Sequence, residues 1–145
     1  MDIKNTKALG GLVTVLTSVV VCSCSTPSKP LSASNRIPAG QGSVRVRTDS
    51  NQNTTLEIAV NHLAPPDRVS LDSKTYVVWI EPIGEESRPQ NLGALSIDPN
   101  LNGRLETVTP FRSFDLFVTA EPSAITLRPS GERMLWAQVN DGRVS

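Results

Sequence analysis

From Gly42 to the C-terminus the chain is interrupted at short intervals by residues that end regular structure. These are Ala64-Pro65-Pro66-Asp67, Pro82 with Gly84, Asp98-Pro99-Asn100, Asn102-Gly103, Glu121-Pro122 and Pro129-Ser130-Gly131. Proline has no N–H to donate, and glycine and asparagine tolerate the left-handed backbone of tight turns. The pieces between them lack helical periodicity and alternate instead. Ser43-Val44-Arg45-Val46-Arg47-Thr48 is polar and apolar by turns, the pattern of a half-buried strand. In 54–63, Leu56, Ile58 and Val60 share one face and Glu57 and Asn61 the other. Residues 75–81 are β-branched and aromatic, which predicts a central strand. Segments 92–97, 104–108, 114–121 and 133–139 complete a set of about seven strands, as an immunoglobulin-like β-sandwich requires. The expected fold is therefore all-β, a sandwich spanning 42–145. No cysteine pair is available to link its sheets, so Trp79, Trp136, Phe114 and Phe117 are expected to fill the core.

The N-terminal part reads differently. Lys4 and Lys7 precede residues 8–21, which carry no charge. A basic start followed by a short apolar run is the layout of a secretory signal peptide. The run would extend roughly 21 Å as a helix, short of the ~30 Å hydrocarbon core, so a permanent transmembrane helix is the weaker reading. Next comes Val21-Cys22-Ser23-Cys24-Ser25. This resembles the lipobox of bacterial lipoproteins, with an aliphatic residue at −3, a small residue at −1, and then cysteine. Cys24 fits as acceptor, with Val21 at −3 and Ser23 at −1. Cys22 would put the bulky Val21 at −1. Valine rather than leucine at −3 and a cysteine at −2 depart from the commoner pattern. The resemblance implies a signal peptide over 1–23, a thioether-linked diacylglycerol on Cys24, and loss of Cys22 on processing. The alternative is an ordinary signal peptide with two incidental cysteines. Ser25 in place of aspartate implies outer-membrane sorting, facing the periplasm, if the cell is Gram-negative.

Residues 25–41 are rich in serine, proline, alanine and glycine, with Leu31 and Ile37 the only sizeable apolar side chains. Such a stretch predicts a flexible tether over 24–41, with a reach of roughly 20–25 Å.

Within the domain, Tyr76-Val77-Val78-Trp79-Ile80, Asn91-Leu92-Gly93-Ala94-Leu95, Phe117-Val118-Thr119-Ala120-Glu121-Pro122 and Pro129-Ser130-Gly131-Glu132 occur in that order. This string resembles the extracytoplasmic C-terminal domain of anti-sigma-K factors, over about residues 74–139. The resemblance implies a β-sandwich of the cell envelope with a sensory or interaction role. The cytoplasmic sigma-binding domain and membrane-spanning helix of that family have no counterpart in this sequence, so sigma-factor inhibition does not carry over.

Candidate chemistry is sparse. Lys plus Arg and Asp plus Glu both number 14, which argues against a nucleic-acid partner. His62 is the only histidine, and one imidazole does not make a metal site. No nucleophile-elbow motif occurs, and nothing selects a pair of carboxylates for hydrolysis. Asp98-Pro99-Asn100-Leu101-Asn102-Gly103 matches the opening of a calcium loop, with Asp98, Asn100 and Asn102 as ligand candidates. The twelfth position is Thr109 rather than a bidentate glutamate, and the competing reading is an Asn-Gly hairpin turn. Arg45 and Arg47 are expected on the solvent side of a strand, guarding a sheet edge.

These observations lead to a lipid-anchored, non-enzymatic envelope protein with a binding, structural or sensory role. It needs no cofactor, is held to the membrane through its N-terminal lipid, and acts on another envelope protein. Alternatives are a regulatory partner related to anti-sigma sensory domains, a calcium-dependent adhesion module and, more remotely, an envelope hydrolase.

Overall fold

The computed structural model of the chain describes residues 26–84 and 87–145. The expected signal peptide, 1–23, and Cys24 lie outside the described residues. The elements are β1 (Lys29–Pro30), β2 (Ser32–Ala33), β3 (Gln41–Thr48), β4 (Thr54–Asn61), α1 (Pro66–Val69), β5 (Thr75–Pro82), β6 (Gln90–Ala94), β7 (Ser96–Ile97), β8 (Gly103–Thr109), β9 (Phe114–Glu121), β10 (Leu135–Asn140) and β11 (Arg143–Val144). They build two antiparallel sheets. Sheet A has the order β1-β3-β4-β8-β7, and sheet B the order β11-β10-β9-β5-β6, with β2 also paired to β10. The molecule is an all-β sandwich.

Alternation decides which side chains meet between the sheets. In β4, Leu56, Ile58 and Val60 point inward and are buried, whereas Thr55, Glu57 and Ala59 are only half-buried. From sheet B, Tyr76, Val78 and Ile80 of β5 and Phe114, Leu116, Val118 and Ala120 of β9 join them in one continuous core. The Tyr76 hydroxyl donates to the Ala64 carbonyl at 2.8 Å, and burial pushes its pKa up to about 12.

All seven expected strands are present, but among the described residues the count is eleven. Segment 92–97 divides because the chain leaves sheet B and joins sheet A within it: β6 pairs with β5, and β7 with β8. Gly93, at φ 129°, and a register shift between Val78 and Trp79 accommodate the departure.

The other additional strands are two residues each, and two of them correct the expectation of a flexible tether. Lys29–Pro30 pairs with β3, and Ser32–Ala33 with β10. Leu31 and Ile37 sit in the core at 7% and 2% exposure. The Leu31 N–H donates to the Gly42 carbonyl, and the Ser34 N–H to that of Met134, both at 2.8 Å. The domain keeps room for these side chains. A Cβ on Gly42 would stand 2.8 Å from Leu31 Cδ1, and one on Gly40 would stand 2.9 Å from Ile37 Cδ1. Composition averages over the segment and undervalues two apolar anchors that join a core built by the rest of the chain.

The expected aromatic core is also corrected. Of the four rings, only Phe114 lies between the sheets. Trp79 and Phe117 are buried with Val77 on the opposite face of sheet B. Trp136, on the same outward parity of β10, is 40% exposed.

Candidate functional site

The outer face of sheet B is covered over Val77, Trp79, Phe117, Thr119 and Glu121 because the connection from β9 to β10, residues 122–134, crosses it there as a strap. Asn91, on β6, holds the strap by donating from Nδ2 to the carbonyls of Ala124 (2.9 Å) and Thr126 (2.8 Å). Further along, the strap meets the end of β9. Gly131 comes so near that a Cβ there would lie 2.7 Å from the Ala120 carbonyl oxygen. Only glycine allows this approach. Arg133 then places its guanidinium 4.1 Å from the centre of the Phe117 ring and pairs with Glu81 at 2.7 Å. Phe117 in turn stacks on Trp79, with centroids 6.5 Å apart and planes 15° apart.

Beneath the strap lies a chain of buried hydrogen bonds. Trp79 Nε1 donates to Thr119 Oγ1 at 2.8 Å, and that hydroxyl donates to Glu121 Oε1 at 2.5 Å. Oε1 also accepts the backbone N–H groups of Ser130 (2.9 Å) and Gly131 (3.3 Å), and Oε2 accepts the Ser130 hydroxyl. Glu121 has no exposed surface. Burial pushes its carboxyl up, but the donors from Ser130, Thr119 and Gly131 together outweigh it and hold the group below its ordinary value of 4.5. A carboxylate with this many donors is a structural clasp joining strap to sheet.

Sequence reading did not single out Glu121. Its parity on β9 points it away from the inter-sheet core, where a glutamate is expected to be solvated. The signal available was the string Thr119, Glu121, Ser130 and Gly131 itself, since all four residues meet in this clasp together with Trp79.

The outward strap surface presents two large apolar side chains, Ile125 at 83% exposure and Leu127 at 88%. Leu127 lines a shallow cavity with Arg88, Pro89, Arg128 and Pro129.

The calcium-loop candidates Asp98, Asn100 and Asn102 form the turn between β7 and β8. Asp98 Oδ1 accepts the N–H groups of Asn100 and Asn102 at 2.9 Å, and Oδ2 accepts Asn102 Nδ2 at 3.1 Å. These donors hold the Asp98 carboxyl below its ordinary value. The same five-residue device recurs between β3 and β4 as Asp49-Ser50-Asn51-Gln52-Asn53, with Asp49 Oδ1 accepting Asn51 and Asn53 at 2.8 Å and Oδ2 accepting Asn53 Nδ2 at 3.2 Å. In both, the fourth residue is left-handed, Gln52 at φ 66° and Leu101 at φ 61°. Gly103, which completes the calcium-like signature, is the first residue of β8. A Cβ there would lie 3.0 Å from Leu95 Cδ1, so packing explains this glycine. The hairpin turn accounts for each part of the pattern. Among the described residues, no three His, Cys, Asp or Glu side chains cluster as metal ligands would.

His62 is exposed just after β4, at φ 57°. Arg45 and Arg47 face solvent as expected. Both pair with Glu57 of the neighbouring strand, at 2.8 and 2.5 Å, and β1 covers part of the edge they were expected to guard. No protein-family model, curated protein or solved structure matches the chain.

Proposed function

We propose that the protein is a lipid-anchored, non-enzymatic domain of the bacterial cell envelope that offers a binding or sensory surface close to the membrane. The observation that carries this reading is Val21-Cys22-Ser23-Cys24 at the end of an uncharged apolar run, two residues before a docked, folded domain. The immunoglobulin-like assignment is part of the same reading. It is supported by strand order, since β3-β4-β8-β7 against β5-β9-β10 corresponds to the order A-B-E-D against C-F-G of such sandwiches. Mass spectrometry of the mature protein tests the anchor, with an acylated N-terminal Cys24 expected. An acyl group on Cys22, or an unmodified N-terminus elsewhere, rejects it. Cys24→Ala should leave an uncleaved precursor or release the chain from the membrane.

A second reading, a regulatory partner akin to anti-sigma sensory domains, is favoured by one observation. Trp79, Thr119, Glu121, Ser130 and Gly131 of the resembling string meet in the clasp that fixes the strap, and the strap carries Ile125 and Leu127 outward. An apolar pair on a rigid support suits contact with another envelope protein. A photo-crosslinker at Leu127 should capture one defined envelope protein in the native membrane, and a crosslinker at Ser96 should not. Equal capture at both positions removes this reading.

A further inference from the structure

The docked N-terminal segment fixes where the domain meets its anchor. The Thr26 carbonyl accepts Arg45 Nε at 2.9 Å. Cys24 precedes Thr26 by only two residues in the sequence, and extended backbone spans at most about 3.6 Å per residue. An acyl group on Cys24 would leave the domain no long tether.

Thr26 lies at one corner of the sandwich. It shares a shallow cavity with Pro27, Lys29, Val46, Gly142, Arg143 and Val144, where the Thr48 end of β3 meets β11. Lys29 and Arg143 line this cavity, and the charges around it are Arg45, Arg47 and Arg112 against Glu57, Asp49 and Asp141. Glu57 is shared by Arg45 and Arg47, and Asp141 pairs with Arg112 at 2.7 Å. Among the described residues, neither Lys29 nor Arg143 has an ion-pair partner, and both are exposed. The balance is positive at the point where the lipid attaches.

We infer that this corner, the Lys29–Arg47–Arg143 surface, rests on the bilayer and contacts anionic headgroups. The inference depends on the lipid anchor at Cys24 proposed above. It orients the molecule. The Asp49–Asn53 turn faces the membrane, because Thr48 and Thr54 flank it beside Thr109. The Asp98–Asn102 turn faces away, because Gly103 pairs with Val60 at the other end of the same strands.

The test uses the mature lipidated protein in vesicles of phosphatidylcholine, with and without phosphatidylglycerol, containing a headgroup-attached quencher. Single labelled cysteines are placed at Ser50 and Asn100, and mass spectrometry monitors the acyl chain. Strong quenching at Ser50 and little at Asn100 is expected, with the difference enlarged by phosphatidylglycerol. Each surface cation contributes about a fivefold bias toward the docked state. Lys29→Glu with Arg143→Glu should therefore erase the enlargement, leave the result in pure phosphatidylcholine unchanged, and preserve the melting temperature. Equal quenching at the two positions on a chain that carries its acyl group overturns the inference and spares the anchor. A chain without the acyl group overturns both. Insensitivity of quenching to phosphatidylglycerol and to the double substitution overturns the headgroup contact.

Discussion

The two sheets have comparable inner faces and opposite outer ones. Sheet A turns Arg45, Arg47, Glu57, Arg104 and Glu106 to water, and the ion pairs of Glu57 there join half-exposed side chains. Sheet B turns Val77, Trp79, Phe117, Thr119 and Glu121 outward, and all five are buried. The strap makes the difference, and it changes what the same kind of interaction contributes. A carboxylate on sheet A competes with water for its partners. Glu121 on sheet B has no water to fall back on, so every donor aimed at it matters. The outer face of sheet B is thus a second core, smaller than the first and partly polar.

The largest test of that comparison is Trp79→Ala. It removes the biggest side chain under the strap and should cost ~3–5 kcal/mol in denaturant unfolding. A melting temperature near wild type would mean that the strap contributes little. Glu121→Ala comes next, at about 2–4 kcal/mol, because the donors of Thr119, Ser130 and Gly131 lose their acceptor. This group also carries a pH signature. Its pKa is depressed in the folded state, so its contribution is complete above the unfolded value of 4.5 and fades as pH falls through the lower folded value. Glu121→Gln should flatten the decline in stability below that pH, and an unchanged profile would assign acid unfolding to other carboxylates. Gly131→Ala should cost about 1–3 kcal/mol, since the new methyl meets the Ala120 carbonyl and must lift the strap. Nuclear magnetic resonance shifts at Trp79 Nε1 would report that lift. The smallest effect belongs to sheet A. Glu57→Gln should change stability by no more than ~1 kcal/mol, and by less still in high salt. A larger loss there would erase the contrast between the faces.

Much of the architecture was legible in the chain. The positions of the main strands followed from alternation and from proline, glycine and asparagine at their ends. Less legible was the segment from Lys29 to Gly40, whose composition suggested a spacer although Leu31 and Ile37 are buried. The calcium-like pattern at Asp98 misled for a different reason. Aspartate and asparagine at alternate positions serve metal loops and hairpin turns alike, and the matching turn at Asp49 has the same hydrogen bonds without the following glycine.

By itself the sequence determined that the chain builds sheets, where the strands run, and which residues of each strand share a face. These are local properties, set by a period of two and by turn chemistry. The tertiary structure alone decided which faces are covered. Trp79 and Glu121 are buried because residues far along the chain cross over them, and Leu31 is buried because Gly42 and Leu135 leave it a socket. Parity places a side chain on one side of a strand. Whether that side meets water depends on contacts between distant segments, and no local pattern encodes those.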